Sequence, residues 1–297
     1  MTTRDTKPRK IVGNPLPKVR GHVSVGAHAR SILFWLAIIA LLIYSVFPIY
    51  WLVLSSLRPP DTIVSEISLW PSKVTLNNYR DLNRHINYGQ QYWNSLVVSV
   101  VVTVATMLIS TFVSYAIARR KFRGRKVLSA TLLFSYMFPP LLSLIPLYVA
   151  MVHLRLADTI LGLAIAELAI TMPLGIWMLW GFFNSMPFEL EEAAMVDGCS
   201  RLGAFVKIIL PLAKPGLVTV GIFSFLISWN GYTAPSILVT SDETKTVPVG
   251  LVSVAGNMAS QWGMLMAACT LVILPLIAGF LFLNRYFIQG LVGGIKG

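Results

Sequence analysis

Residues Glu189 to Pro215 read ELEEAAMVDGCSRLGAFVKIILPLAKP, the longest polar-to-amphipathic insert in the second half of the chain. Glu189, Glu191 and Glu192 crowd the start of a helix, where carboxylates complement the positive end of the backbone dipole. Asn184 or Ser185 is placed to cap that end, and Pro187 suits the first turn. Ala193 and Ala194 are small enough to let another surface come close. Gly198 suits the left-handed residue that ends a helix. Ser200 then caps a second short helix, whose apolar Leu202, Phe205, Val206 and Ile209 recur at i, i+3, i+4 and i+7. Pro211 and Pro215 stop it. The stretch is a helix, a turn and a second helix. Physics alone reads it as an amphipathic loop lying on a membrane surface.

Outward from this loop the chain is apolar. Of its 297 residues 56% are hydrophobic and only 12% charged, which excludes an ordinary soluble domain. A bilayer span needs ~20 mostly apolar residues. Ser31–Ser55, Tyr92–Ala118, Val127–Met151, Thr159–Phe183, Gly216–Thr240 and Trp262–Phe287 qualify as approximate limits. The expected fold is all-α: a polytopic membrane protein with six transmembrane helices over 31–287 and a cytoplasmic helix–turn–helix loop over 184–215. Residues 1–30 are basic and rich in Pro and Gly, a disordered tail by composition. Residues 288–297 form a short C-terminal tail.

The formal net charge of +12 raises the question of nucleic acid, and its distribution answers it. Under the positive-inside rule the N-terminal tail and the run Arg119-Arg120-Lys121-Phe122-Arg123-Gly124-Arg125-Lys126 are cytoplasmic. With six spans both termini lie inside, and 18 of the 24 Lys and Arg fall on that side. The charges set topology and touch anionic membrane lipid, so no nucleic-acid partner is expected. Cys199 and Cys269 fall in a loop and a span, which gives no disulfide framework.

The chain has no phosphate-binding Gly-x-x-x-x-Gly-Lys-[Ser/Thr], no His/Cys metal cluster and no nucleophile elbow. It is expected not to be an enzyme and to hold no cofactor or metal. Prolines at 139, 140, 146, 173, 235 and 275 kink the spans, either for packing or to line a cavity. Glu167 is the one acidic residue well inside a span, where a charge costs about 3 kcal/mol on insertion scales. It either lines a path and bonds substrate hydroxyls or holds two helices together. Trp229, Asn230 and Tyr136 are amphipathic groups of the kind that meet sugars. Interfacial anchoring is the plainer role for most of them.

The letters are more specific than the physics. Glu192-Ala193-Ala194, three residues, Gly198, nine residues, Ile208, one residue, Leu210-Pro211 resembles the EAA loop of permeases in binding-protein-dependent ABC importers. Thr75-Leu76-Asn77-Asn78-Tyr79, Trp229-Asn230, the tract Ser241-Asp242-Glu243 to Leu251 and the C-terminal tail resemble the carbohydrate permeases of that class, similar to the smaller permease of maltose transporters. Gly231 departs from the acidic residue usual after Trp-Asn. The resemblance implies a carbohydrate importer subunit in a prokaryotic inner membrane. Its partners would be a second homologous permease, two ATP-binding subunits that carry ATP and Mg, and an extracytoplasmic solute-binding protein, which the loop Ser241–Gln261 would reach. It implies that Glu191, Glu192 and Asp197 make polar contacts with the ATPase, and that Ala193, Ala194 and Gly198 allow close approach. Ile208, Leu210 and Pro211 would fix the second helix against the body. A non-sugar solute, or a membrane enzyme or scaffold, are the rival readings.

Overall fold

The computed structural model describes residues 25–65, 67–257 and 261–293. Most of the expected tail 1–30 lies outside them, as do residues 294–297. Short helical turns aside, the helices are α1 (Val25–Ser56), α2 (Asn77–Ile86), α3 (Tyr88–Arg119), α4 (Arg125–Met137), α5 (Pro140–His153) and α6 (Ile160–Ser185). There follow α7 (Glu189–Val196), α8 (Arg201–Leu212), α9 (Lys214–Trp229), α10 (Thr233–Leu238), α11 (Val247–Asn257) and α12 (Trp262–Gly293). No strand occurs among the described residues. The chain to Ile49 forms one compact unit and the rest, from Tyr50, another. In the first, the α1 side chains from Ile32 to Leu36 are exposed apolar groups.

The second unit is built around α3, which packs most extensively on α6 and next on α9. Its buried face carries many small polar residues beside Val98 and Val102. Ser95, Ser99, Thr106, Ser110 and Ser114 are buried, while Val100, Val101, Val104, Leu108 and Phe112 face outward. Lipid tails are as apolar as these side chains, so helices associate through close packing and hydrogen bonds rather than apolar burial. Both are present here. The Thr106 and Thr171 hydroxyls bond across α3 and α6 at 2.9 Å. Gly175 lets the helices approach so closely that a Cβ there would lie 2.7 Å from Ser110 Oγ and 2.8 Å from Thr106 Cγ2.

Among the described residues four helices are long and apolar enough to cross a membrane, and a fifth candidate is the pair α8 and α9, bent by 69°. Not every one of the six spans expected from hydropathy is a single helix. The third, Val127–Met151, is broken at Phe138–Pro139 into α4 and α5, with Phe138 extended at φ −72° and ψ 130°. Pro139 and Pro140 lack the N–H groups a helix needs, and proline pushes its predecessor out of helical geometry. The fifth, Gly216–Thr240, stops at Trp229 and resumes only as the short α10. The segment α4 packs on α6.

Candidate functional site

The loop after α6 is a short helix, a turn and a second helix. The end of α7 closes with Gly198 at φ +88°. The N–H of Gly198 donates to Met195 O at 3.1 Å and that of Cys199 to Ala194 O at 3.0 Å, so the last carbonyls are satisfied by a left-handed cap. Ser200 Oγ accepts from Gly203 N–H at 3.1 Å and starts α8. The start of α7 differs from expectation. Neither Asn184 nor Ser185 caps it, because α6 runs on through Ser185, whose hydroxyl donates back to Phe182 O.

The second helix also departs from its periodicity. Phe205 to Ile209 form a π turn, with Leu210 N–H donating to Phe205 O. Pro211 lies just beyond, and its ring clashes with a helical carbonyl four residues back, which the wider turn relieves. Ala204, Phe205 and Ile209 are buried, while Leu202 and Val206, two of the four residues expected on the apolar face, are exposed. Ile208 and Leu210 are half-buried and Pro211 is exposed.

The loop is clamped to the end of α3. Tyr115 hydroxyl donates to Glu191 Oε1 at 2.6 Å, and Arg119 donates from Nη2 to Met186 O at 2.9 Å. The Arg119 guanidinium lies 4.2 Å from the Phe188 ring centroid. Phe205 packs on Tyr115 with centroids 4.3 Å apart. Glu191 and Ala194, expected to face a partner, are instead buried, because an eight-residue helix packed on α8 and bonded to Tyr115 must turn one side inward. Glu192, Ala193, Asp197 and Gly198 stay exposed.

Around Glu167 the picture is different. It is buried on α6 and accepts a hydrogen bond from the Ser228 hydroxyl of α9. A Cβ on Gly231 would lie 3.0 Å from Glu167 Oε1, so the absence of a side chain at 231 makes room for the carboxylate. Trp229 is buried, donates from Nε1 to Val272 O at 3.1 Å and stacks on Phe225 at 5.7 Å. It is a packing residue in this conformation. Asn230 is exposed and its amide donates to Leu226 O of its own helix at 2.9 Å. The Tyr136 side chain lies outside the described residues.

At the other end of α3 the segment 240–247 is pinned from two sides. Asp158 Oδ1 accepts from Thr240 N–H at 2.8 Å, Ser241 N–H at 3.1 Å, Ser241 hydroxyl at 3.2 Å and Thr244 hydroxyl at 2.6 Å. Burial works to raise this carboxyl, but these bonds, led by Thr244, hold it well below the usual carboxylate range. Asn94 Nδ2 donates to Glu243 O at 2.7 Å and Lys245 O at 2.9 Å, and Ser95 Oγ accepts from Val247 N–H at 2.8 Å. Asp242 and Glu243 form the exposed tip.

A helical body with an exposed, glycine-turned loop on its α6–α9 connection matches one family model, described as the binding-protein-dependent transport system inner membrane component, over residues 107–293. The chain belongs to this family. The permease is 33% identical to the inner membrane ABC transporter permease protein YcjP of Escherichia coli, over 89% of its own length and 96% of that protein's. It is 32% identical to the diacetylchitobiose uptake system permease protein DasC of Streptomyces coelicolor, over 87% and 95% of the two chains. It is also 32% identical to the trehalose transport system permease protein SugB of Mycobacterium tuberculosis, over 91% and 99%. In fold it is similar to a chain of a bacterial ABC transporter involved in alginate import, with TM-score 0.74 at 22% identity, over 89% and 98%. The permease is a multi-pass inner membrane component that works with a binding protein.

Sequence reading gave Asp158, Asn94 and Tyr115 no role, and Arg119 only a share in the basic run. Asp158 and Tyr115 meet partners 82 and 76 residues away, which no local pattern announces. The one available signal was an Asp directly before the Thr159 cap of α6, unused by that helix.

Proposed function

We propose that the permease is the translocating subunit of an ATP-driven importer that moves a sugar or sugar-like solute into the cytoplasm by alternating access. The observation that carries this is the division of the 186–213 loop. One side is locked to α3 through Tyr115, Arg119 and Phe205, and the other presents Glu192, Ala193, Asp197 and Gly198 to a partner. A loop of that kind transmits motion, because what it holds outside and what it holds inside move together.

The partner at this loop is an ATP-binding subunit, one of two, which carries the ATP and Mg. A second homologous permease completes the path, and an extracytoplasmic binding protein delivers solute to the Asp242–Glu243 tip. Both termini are cytoplasmic, as the Lys and Arg distribution requires. The diacetylchitobiose and trehalose systems named for its relatives support a carbohydrate as cargo. Glu167, with Ser228 beside it, is the polar group of the helical body placed to meet solute when the helices part. Asn230 is exposed nearby on the same connection.

The test is ATPase activity of the whole complex in lipid, with its binding protein and a panel of sugars added singly. Stimulation by one sugar establishes the importer and its cargo together. An assembled, hydrolysing complex that no sugar stimulates would overturn the carbohydrate reading in favour of a non-sugar solute.

A further inference from the structure

The basic run that links α3 to α4 has no acidic counterpart. No Asp or Glu occurs between Asp81 and Asp158. Among the described residues the ion pairs lie elsewhere, at Asp81–Arg84 and Asp242–Lys245. Arg119 is engaged by Met186 and Phe188. Of the rest, Lys121, Arg123 and Lys126 are exposed, and Arg120 and Arg125 are half-buried. Arg125 and Lys126 open α4, where the backbone dipole already favours an anion. That first turn holds no acid, and Gly124, at φ +91°, brings no side chain to cap it. Positive charge gathers there with no ion pair to balance it among the described residues.

An apolar cleft lies next to this turn. It is a cavity of about 160 Å³ between α3, α4 and α6, lined among others by Ile117, Ala130, Leu133, Ile176, Trp177 and Trp180. Ala130 and Leu133 stand roughly 7–12 Å in from the start of α4 at helical rise. Ile176 and Trp180 stand roughly 7–14 Å in from the end of α6. Leu133 and Trp177 are exposed, so the cleft opens on the outer surface of the helical body. Trp180 keeps its Nε1–H buried without a partner among the described residues. An apolar cavity of this size stays dry and holds a group about as large as benzene.

We propose that the cleft and the basic turn together form a binding site for one anionic phospholipid. An acyl chain lies in the cleft between α4 and α6, and the phosphate is held at the start of α4 by Arg125, Lys126 and their neighbours. The chemistry of the two parts names the occupant. The cleft is apolar and opens where a membrane helix meets lipid, and the charge sits one to three turns further out, at the level of the headgroups. A molecule with an anionic head and an apolar tail answers both at once, whereas a partner helix would fill the cleft and leave the charge. An ester carbonyl of the lipid is also an acceptor of the kind the Trp180 indole lacks. The inference stands on the membrane placement of the chain and not on what the chain transports.

The experiment counts lipids on the purified, delipidated complex by native mass spectrometry. Phosphatidylglycerol or phosphatidylcholine with the same acyl chains is titrated in. Wild type is compared with Ala130→Trp, which fills the cleft and keeps every charge, and with the pair Arg125→Gln and Lys126→Gln. The pair leaves the other four basic residues of the run to hold the topology. Wild type is expected to hold one phosphatidylglycerol per copy of this chain in preference to phosphatidylcholine. The charge pair should weaken that lipid about 25-fold, about fivefold for each charge near a membrane surface, and leave phosphatidylcholine as it was. Ala130→Trp should remove the tightly held lipid whichever headgroup it carries. Equal binding of the two lipids by wild type would deny the basic turn its part. Phosphatidylglycerol binding untouched by Ala130→Trp would mean that the charges gather lipid without a seat for its chain. No lipid held by wild type would mean that a neighbouring subunit covers the cleft. Each of these three outcomes overturns the site. If Ala130→Trp lowers the yield of complex, Ala130→Leu is read in its place.

Discussion

At the scale of single residues, Gly175 is the tightest point of the α3–α6 contact. Gly175→Ala puts a methyl group 2.7 Å from Ser110 Oγ, where packed atoms cannot sit. Overpacking of this kind costs ~1–3 kcal/mol. The thermal midpoint of the purified complex should fall, and an unchanged midpoint would mean the two helices are looser than the structure has them. Asp158 makes a second prediction. A carboxylate depressed in the folded protein contributes stability that is full above the ordinary range near ~4 and is lost as pH falls through the depressed value. Protease resistance of the 240–247 loop should therefore persist down to about pH 4. It should weaken only below that in wild type, and be weak at every pH in Asp158→Asn. Equal resistance in the two proteins would deny the carboxylate this role. Glu167→Gln keeps an acceptor for Ser228 and removes the ionisable group. Uptake should drop with assembly intact, and unchanged uptake would take Glu167 out of the path. Glu167 was visible in the sequence as a lone acid in an apolar run. Asp158 and Tyr115 were not, because ordinary loop and helix residues become functional only through partners far along the chain.

At the scale of elements, the loop from α7 to α8 shows which signals are local. The left-handed turn at Gly198 and the cap at Ser200 depend on a few neighbouring residues, and they stand where the sequence put them. The apolar face of α8 is narrower than its periodicity implied: Phe205 and Ile209 turn inward, whereas Leu202 and Val206 are exposed. Among the described residues, chain neighbours aside, nothing lies within 4 Å of a Cβ placed on Gly198, so a substitution there strains the backbone rather than the packing. Gly198→Val forces a branched side chain into φ +88° and should deform the exposed turn without disturbing α3. The expected result is a complex that assembles but whose ATPase no longer responds to loaded binding protein. Retained stimulation would show that this turn does not couple.

At the scale of the whole molecule, topology is the testable consequence of charge. In a background of Cys199→Ser and Cys269→Ala, Phe122→Cys should react with an impermeant thiol reagent only from the cytoplasmic face, and Asp242→Cys only from the opposite face. Labelling of both from one side would break the six-segment arrangement. The sequence by itself determined that the chain is helical and lives in a membrane, because apolar length and basic asymmetry act residue by residue. It also determined the family, through a motif of fixed spacing in one loop. Only the tertiary structure decided that Glu191 and Ala194 face inward while Glu192 and Asp197 face out. It also decided that two of the expected spans are broken and that α3 joins the two loops. Those facts depend on which helices pack together, and in lipid that choice rests on small residues and single hydrogen bonds between distant parts of the chain, which leave almost no periodic trace.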